Sequence, residues 1–206
     1  MGFGAPESPS YDPPLASLSY AMPMPSFPPA PVPGAPTSPS SSSTSEASVV
    51  NRWRNPISFD VAGYCWQYIP SGGTFPLETA VRAGRDADGS TIYVGRAFHE
   101  GDMLPAKVIP DKFVAFVAFG GEEHPKEDYE ILRTGDFVWE FAVNGEVPPG
   151  AVEGGQTADG EKLYIGRCLH NGTQTPGKVQ PSHECLYIPF DGEEVRVSSY
   201  EVLVIK

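Results

Sequence analysis

Residues Gly84 to Lys107 (GRDADGSTIYVGRAFHEGDMLPAK) recur 71 positions later as Gly155 to Lys178 (GQTADGEKLYIGRCLHNGTQTPGK). The register holds without a gap from Ala80–Leu132 to Ala151–Leu203, where 22 of 53 positions are identical. A match of that length and regularity is a duplication, and it constrains the architecture more than any other feature of the chain. Two equal units must fold alike. Half of such a domain buries too little surface to stand alone, so the copies are expected to pack as a pseudo-two-fold pair around one core.

Punctuation within each copy is that of a β protein. Asp88-Gly89 and Asp159-Gly160 read as hairpin dipeptides of type I′. Short apolar strands follow at Thr91–Val94 and Lys162–Ile165, then polar turns at His99-Glu-Gly-Asp and His170-Asn-Gly-Thr. Further strands are expected at Phe113–Phe119 and Cys185–Phe190, and at Tyr129–Leu132 and Tyr200–Ile205. Ahead of each copy lies an aromatic strand, Tyr64–Tyr68 (YCWQY) and Phe137–Phe141 (FVWEF), with Trp66 and Trp139 as anchors. No window carries apolar residues at i, i+3, i+4 and i+7, which excludes a substantial helix. The expected fold is all-β: two tandem repeats of short antiparallel strands packed as a pseudo-two-fold, β-sandwich-like domain.

Residues 1–50 are of another kind. Twelve of the 23 prolines fall within residues 1–45, with a serine-rich run at 40–45 and no Lys or Arg. Such composition buries too little apolar surface to offset chain entropy, so a disordered or polyproline-like tail is expected. Pro23–Pro33 (PMPSFPPAPVP) has the composition of an SH3 or WW ligand, though a solvated tail is the simpler reading. The remaining boundaries are 51–135 for the first repeat with its leading strand and 136–206 for the second.

The formal net charge is −12, of which Glu7, Asp12 and Glu46 of the tail supply −3, leaving −9 on the rest. An acidic body argues against nucleic acid or an anionic membrane as partner. Neither a transmembrane run nor a signal peptide is recognisable. The three cysteines, Cys65, Cys168 and Cys185, lack C-x-x-C spacing and read as buried, reduced thiols, which suits the cytoplasm. No thiolate metal site is implied.

The repeat consensus, G-x-[DT]-A-D-G-x-x-[IL]-Y-[VI]-G-R-[AC]-x-H-x-G-x-x-x-P-[AG]-K-V-x-P with a closing Y-E-[VI]-L, resembles the DM9 repeat. The resemblance spans about Trp66 to Leu203, in two copies. It implies a mannose-recognising lectin of all-β fold that acts as a dimer in recognition of microbes, without cofactor or metal. It also implies the sugar contacts: the first Asp of D-x-D-G and the Lys of P-[AG]-K-V, here Asp86 and Lys107. In the second copy Lys178 is kept and the Asp is replaced by Thr157, so a weaker second site is expected.

Physical chemistry agrees with that pairing. A carboxylate accepts from two vicinal hydroxyls while an ammonium donates to hydroxyl or ring oxygens, so together they grip a diol. Taken without the resemblance, Asp86 and Lys107 read better as a surface ion pair worth less than ~1 kcal/mol, and the resemblance reverses that preference. Asp88 and Asp159 read as turn residues capping their own backbone. The D-x-D-G string lacks the rest of a calcium loop. Arg96 and Arg167 read as structural clamps on carboxylates, and His99 and His170 as turn residues. Phe98 and Trp139 read as packing residues. The G-x-S-x-G, H-E-x-x-H and phosphate-loop motifs are absent, so the chain is expected not to be an enzyme. The alternative function is a protein-interaction scaffold recruited through the proline-rich tail.

Overall fold

The computed structural model describes residues 1, 58–59 and 63–206. The expectations for the tail and its SH3 or WW motif lie outside the described residues. Among the described residues the chain is all-β, with two single-turn 3-10 segments. After the short β1 (Ser58–Phe59), copy one runs β2 (Cys65–Ile69), β3 (Arg82–Arg85), β4 (Thr91–His99), β5 (Asp102–Ile109), β6 (Val114–Phe119), β7 (Glu122–Lys126) and β8 (Tyr129–Arg133). Copy two repeats the series as β9 (Phe137–Val143), β10 (Glu153–Gln156), β11 (Lys162–His170), β12 (Thr173–Gln180), β13 (Cys185–Phe190), β14 (Glu193–Val197) and β15 (Ser199–Ile205).

Both aromatic strands pair with the closing strand of their own copy, Trp66 opposite Leu132 and Trp139 opposite Leu203. The strands form one continuous sheet that closes on itself through β4–β5 and β11–β12. The expected all-β fold of two packed repeats is found, with the sheet closing in a barrel-like way.

The copies are joined reciprocally. Arg85 bridges to Gln174, and its counterpart Gln156 bridges to Met103. Glu122 bridges to Glu193, its own equivalent, which marks the pseudo-two-fold axis. Backbones approach closely at the first two junctions: a Cβ on Gly84 would lie 2.0 Å from Gln174 O, and one on Gly155 2.0 Å from Met103 O. One core cluster is shared, Trp66, Ile92, Val94 and Leu132 packing with Val152, Ile165 and Leu203.

Turn chemistry departs from expectation in one place. Two-residue hairpins with both central residues at positive φ form instead at Glu100-Gly101 and Asn171-Gly172, and at Gly120-Gly121 and Asp191-Gly192. In the Asp86–Ser90 loop only Gly89 does (φ 90°), so that loop is not type I′. The strands expected above do not include β7 (EEHPK) or β14 (EEVRV), where glutamates, and in β7 a proline, leave no apolar alternation. Short β3 and β10 escaped notice as well, being mostly exposed and glycine-bearing.

Candidate functional site

The Asp86–Ser90 loop is organised by Asp86 and Asp88 acting on their own backbone. Gly89 N donates to Asp86 O (3.0 Å), Asp86 N to Ser90 O (2.9 Å) and Ala87 N to Asp86 Oδ1 (2.9 Å). Ser90 N donates to Asp88 Oδ1 (2.9 Å), the turn-capping role expected of Asp88. Beside the loop, the 3-10 turn Pro110–Lys112 delivers Lys112, whose ammonium lies 2.8 Å from both Asp86 Oδ2 and Asp88 Oδ2. Here a lysine provides the positive charge that the D-x-D-G string would otherwise seek from calcium.

Titration follows from that trio. Burial raises the Asp86 carboxyl, but the Lys112 hydrogen bond and the Ala87 amide outweigh it, leaving the pKa lowered. Asp88 is lowered chiefly by its hydrogen bond from Lys112. Lys112 is raised to about 12, first by Asp86 and then by Asp88.

Lys107 lies in the interior of β5, not at a strand end, and is only 7% exposed. Its ammonium donates to Glu123 Oε1 (2.7 Å) and to Pro189 O of the other copy (3.0 Å), and sits 4.8 Å from the centre of the Phe116 ring. Glu123 in turn accepts from Gly192 N on Oε2 (2.9 Å). Asp86 and Lys107 are thus not each other's ion-pair partners. Each has its own, which replaces the surface-pair reading. Both nevertheless line a single open cleft of about 390 Å3.

The cleft is composite. Copy one supplies Asp86, Lys107, Lys112, Phe116 and Glu123, while copy two supplies Thr173, Phe190 and Asp191. Three carboxylates and two ammonium groups surround a space that admits a small polar ligand. Of these, Glu123 left a trace in the sequence, since Gly-Glu-Glu recurs at 121–123 and 192–194. Lys112 and Asp191 left none, because the other copy has His183 and Gly120 at their positions.

The second copy keeps the buried lysine–glutamate pair and loses its rim. Lys178 lies 2.9 Å from Glu194 Oε1, which is buried and held by charge without a well-directed hydrogen bond. Glu194 Oε2 accepts from Gly121 N (2.8 Å), mirroring Glu123 and Gly192. Thr157 Oγ1 accepts from Glu161 N (3.1 Å), a turn-closing role. Asp102, the counterpart of Thr173, spends one oxygen on Ala158 N (2.7 Å).

The remaining expectations concern structure. Arg96 pairs with Glu130 (2.5 Å) and lies 4.3 Å from the Trp66 ring centre; Arg167 pairs with Glu201 (2.7 Å) and lies 4.0 Å from that of Trp139. These are the clamps expected, and they occupy one face of each tryptophan. His99 ends β4 against His124 (4.3 Å between ring centres) and Phe119, with its pKa lowered first by burial and then by His124. The cysteines are free and buried. Among the described residues no cluster of three or more His, Cys, Asp or Glu could hold a metal, and no helix is long and apolar enough to cross a membrane.

Comparison with known proteins matches the DM9 repeat to residues 86–197, more than half of the chain. Natterin-3 of Thalassophryne nattereri is 34% identical over 92 residues, covering 43% of this chain and 23% of that protein. Natterin-2 of the same species is 30% identical over 80 residues, covering 39% and 18%. The chain therefore spans less than a quarter of the length of these curated relatives. Among solved structures, the nematode sperm cell motility protein MFP2B aligns with a TM-score of 0.55 at 16% identity, over 74% of this chain and 49% of that one. At that identity the likeness is one of fold.

Proposed function

The chain belongs to the DM9 repeat family, and from that premise we propose that it is a non-catalytic lectin binding mannose-type sugars in the cleft between Asp86 and Lys107. The observation that carries the reading is the convergence of these two residues, 21 positions apart, on one open cleft. A Lys ammonium has three donors; Glu123 and Pro189 take two, which leaves one for a sugar oxygen. Each carboxylate oxygen of Asp86 carries one hydrogen bond and retains a lone pair for a hydroxyl. A vicinal diol satisfies both groups at once, and neither must be desolvated anew. Phe116 and Phe190 offer apolar walls for the C–H faces of a pyranose.

Binding needs no cofactor or metal on this reading. Lys178 and Thr157 form the weaker counterpart, since Thr157 is uncharged and already used in its turn. The protein acts in the cytoplasm, where its three unpaired thiols stay reduced, and as a homodimer. Isothermal titration of the full chain with mannose and with mannan tests the proposal. Saturable heat that disappears in Asp86→Ala is expected; silence with both ligands from a folded protein overturns it.

A further inference from the structure

The two copies treat one tyrosine differently. In copy two, Tyr200 on β15 accepts a hydrogen bond from Gly145 N (2.8 Å), in the middle of a turn closed by Glu146 N and Val143 O (2.9 Å). That turn lies against the 3-10 segment Pro181–His183 and its cap: a Cβ on Gly145 would stand 2.8 Å from Glu184 Cα and 2.9 Å from Pro181 O. Its equivalent in copy one is closed by the matching bond from Gly73 N to Pro70 O (2.8 Å). Here only Gly72 has positive φ, whereas copy two has both Asn144 and Gly145 there, so the two turns differ in type. Gly72 stands clear of the 3-10 segment, and a Cβ on it would meet nothing within 4 Å.

The space so left open is a cavity of about 400 Å3. Tyr129, the counterpart of Tyr200, lines it with Pro110 and Phe113 of the 3-10 corner and with Gly73, Phe75 and Leu77 of the leading loop. That loop is two residues longer than in copy two, Ile69 to Ala80 against Ala142 to Ala151 (80 − 69 = 11, 151 − 142 = 9). Phe75 is fixed by an edge contact with the Tyr93 ring, 6.1 Å between centres. Phe113 and Leu77 are 58% and 41% exposed, two bare apolar side chains at one mouth, and copy two has Glu184 in place of Phe113. Among the described residues nothing is hydrogen-bonded to the Tyr129 hydroxyl, and burial alone raises its pKa; for Tyr200 the Gly145 amide acts against burial. A buried phenol ordinarily finds a partner.

We propose that this cavity binds an uncharged, apolar peptide segment of a partner protein, which presents a main-chain N–H to the Tyr129 hydroxyl beside an aromatic or branched aliphatic side chain. The chemistry of the occupant is that of copy two, where a glycine amide in a tight turn serves the equivalent tyrosine. Copy one lacks the internal donor and adds the apolar walls of Phe75, Leu77 and Phe113. The volume falls within the roughly 300–1,000 Å3 of ligand sites, room for one large side chain and its flanking peptide groups. Asp111, where copy two has Ser182, places negative charge on the lining and disfavours an acidic segment. The site is separate from the sugar cleft: Lys112 lines that cleft, while its neighbours Pro110 and Asp111 line this one. It does not rest on the sugar reading.

The probe is the blocked dipeptide N-acetyl-phenylalanyl-glycinamide, titrated into the full chain and followed by two-dimensional amide NMR. Saturable shifts at millimolar peptide are expected at residues 73–77, 111–113 and 129, with the Tyr200 corner undisturbed. Phe113→Glu installs the residue that copy two carries at the same left-handed position (φ 53° and 56°), so the fold is kept. It should weaken binding at least ~tenfold, the loss of one apolar wall. Tyr129→Phe should weaken the dipeptide about fivefold, the size of one neutral hydrogen bond. The same variant should leave unchanged the affinity of the ester analogue, in which oxygen replaces the N–H between the two residues. Asp86→Ala, which removes the sugar contact, should alter neither. Absence of saturable shifts overturns the proposal. So does binding indifferent to Phe113→Glu, or equal losses of amide and ester in Tyr129→Phe, which would make the cavity an apolar hole without peptide recognition.

Discussion

Lys107 and Glu123 form a 2.7 Å ion pair in which both side chains are about nine-tenths buried, and the same glutamate accepts the Gly192 amide of the other copy. A group offered to a ligand is thereby also a brace across the pseudo-two-fold axis. Truncating Glu123 leaves a buried ammonium short of its counter-charge and an amide without its acceptor. Glu123→Ala is expected to cost about 3 kcal/mol, a fall in Tm on the order of 10 °C. Thermal unfolding measures it, and Glu123→Gln, which keeps an acceptor, should recover part of the loss.

Asp86 and Thr157 occupy the same position in the two copies and differ in charge. Asp86→Ala should weaken mannose binding at least tenfold, corresponding to the ~1.5–3 kcal/mol of a charged hydrogen bond, while Thr157→Ala changes affinity less than twofold. Titration calorimetry on both variants separates them. Equal losses would reverse the ranking of the two clefts.

A Cβ on Gly84 would meet the backbone of the other copy, whereas one on Gly89 would meet nothing within 4 Å. A methyl group at Gly84 would meet Gln174 O at 2.0 Å, forcing the Arg85–Gln174 bridge apart. Gly84→Ala is expected to destabilise by about 2–3 kcal/mol. Gly89→Ala, with φ +90° and open space, costs only the left-handed conformation, about 1 kcal/mol. Chemical denaturation midpoints should show the larger effect at Gly84.

Charge in the Asp86–Lys112–Asp88 trio sets a pH window. Both carboxyls are lowered in the folded state, so their contribution is complete above the unfolded value near 3.8 and is lost as pH falls through the folded values. Lys112 is raised to about 12, so its contribution holds below 10.5 and is lost as pH rises through about 12. Stability measured against pH should therefore show no inflection from this trio between pH 5 and 9. In Lys112→Met the carboxyls return toward their ordinary values, so stability should be lower at neutral pH and fall less than in the wild type as the pH drops through the carboxylate range, a shift toward weaker acid dependence. Unfolding midpoints from pH 2 to 7 check the shift.

Much of the fold was legible because duplication is a statement about sequence alone. The 71-residue offset carried the strand pattern of one copy onto the other, and Trp66 and Trp139 marked the leading strands correctly although they lie 73 residues apart (139 − 66 = 73). The edges of that legibility have physical causes. Strands β7 and β14 carry glutamates because each is a bridge near the axis, with Glu123 and Glu194 turned toward buried lysines. Their alternation therefore encodes ion pairs and not apolar burial.

Sequence by itself determined that this chain is two β-rich copies of one motif, that Asp86 has no counterpart in the second copy, and that Lys107 does. Composition and spacing are local properties, and a local property suffices for each of those statements. Only the tertiary structure decided that the cleft belongs to both copies, that Lys112 and Asp191 stand at its rim, and that Asp86 and Lys107 each have another ionic partner. Those facts depend on which residues 16 to 105 positions apart are brought to one cleft. That is set by how the sheet closes around its pseudo-two-fold axis, an outcome of packing the two copies that neither contains alone.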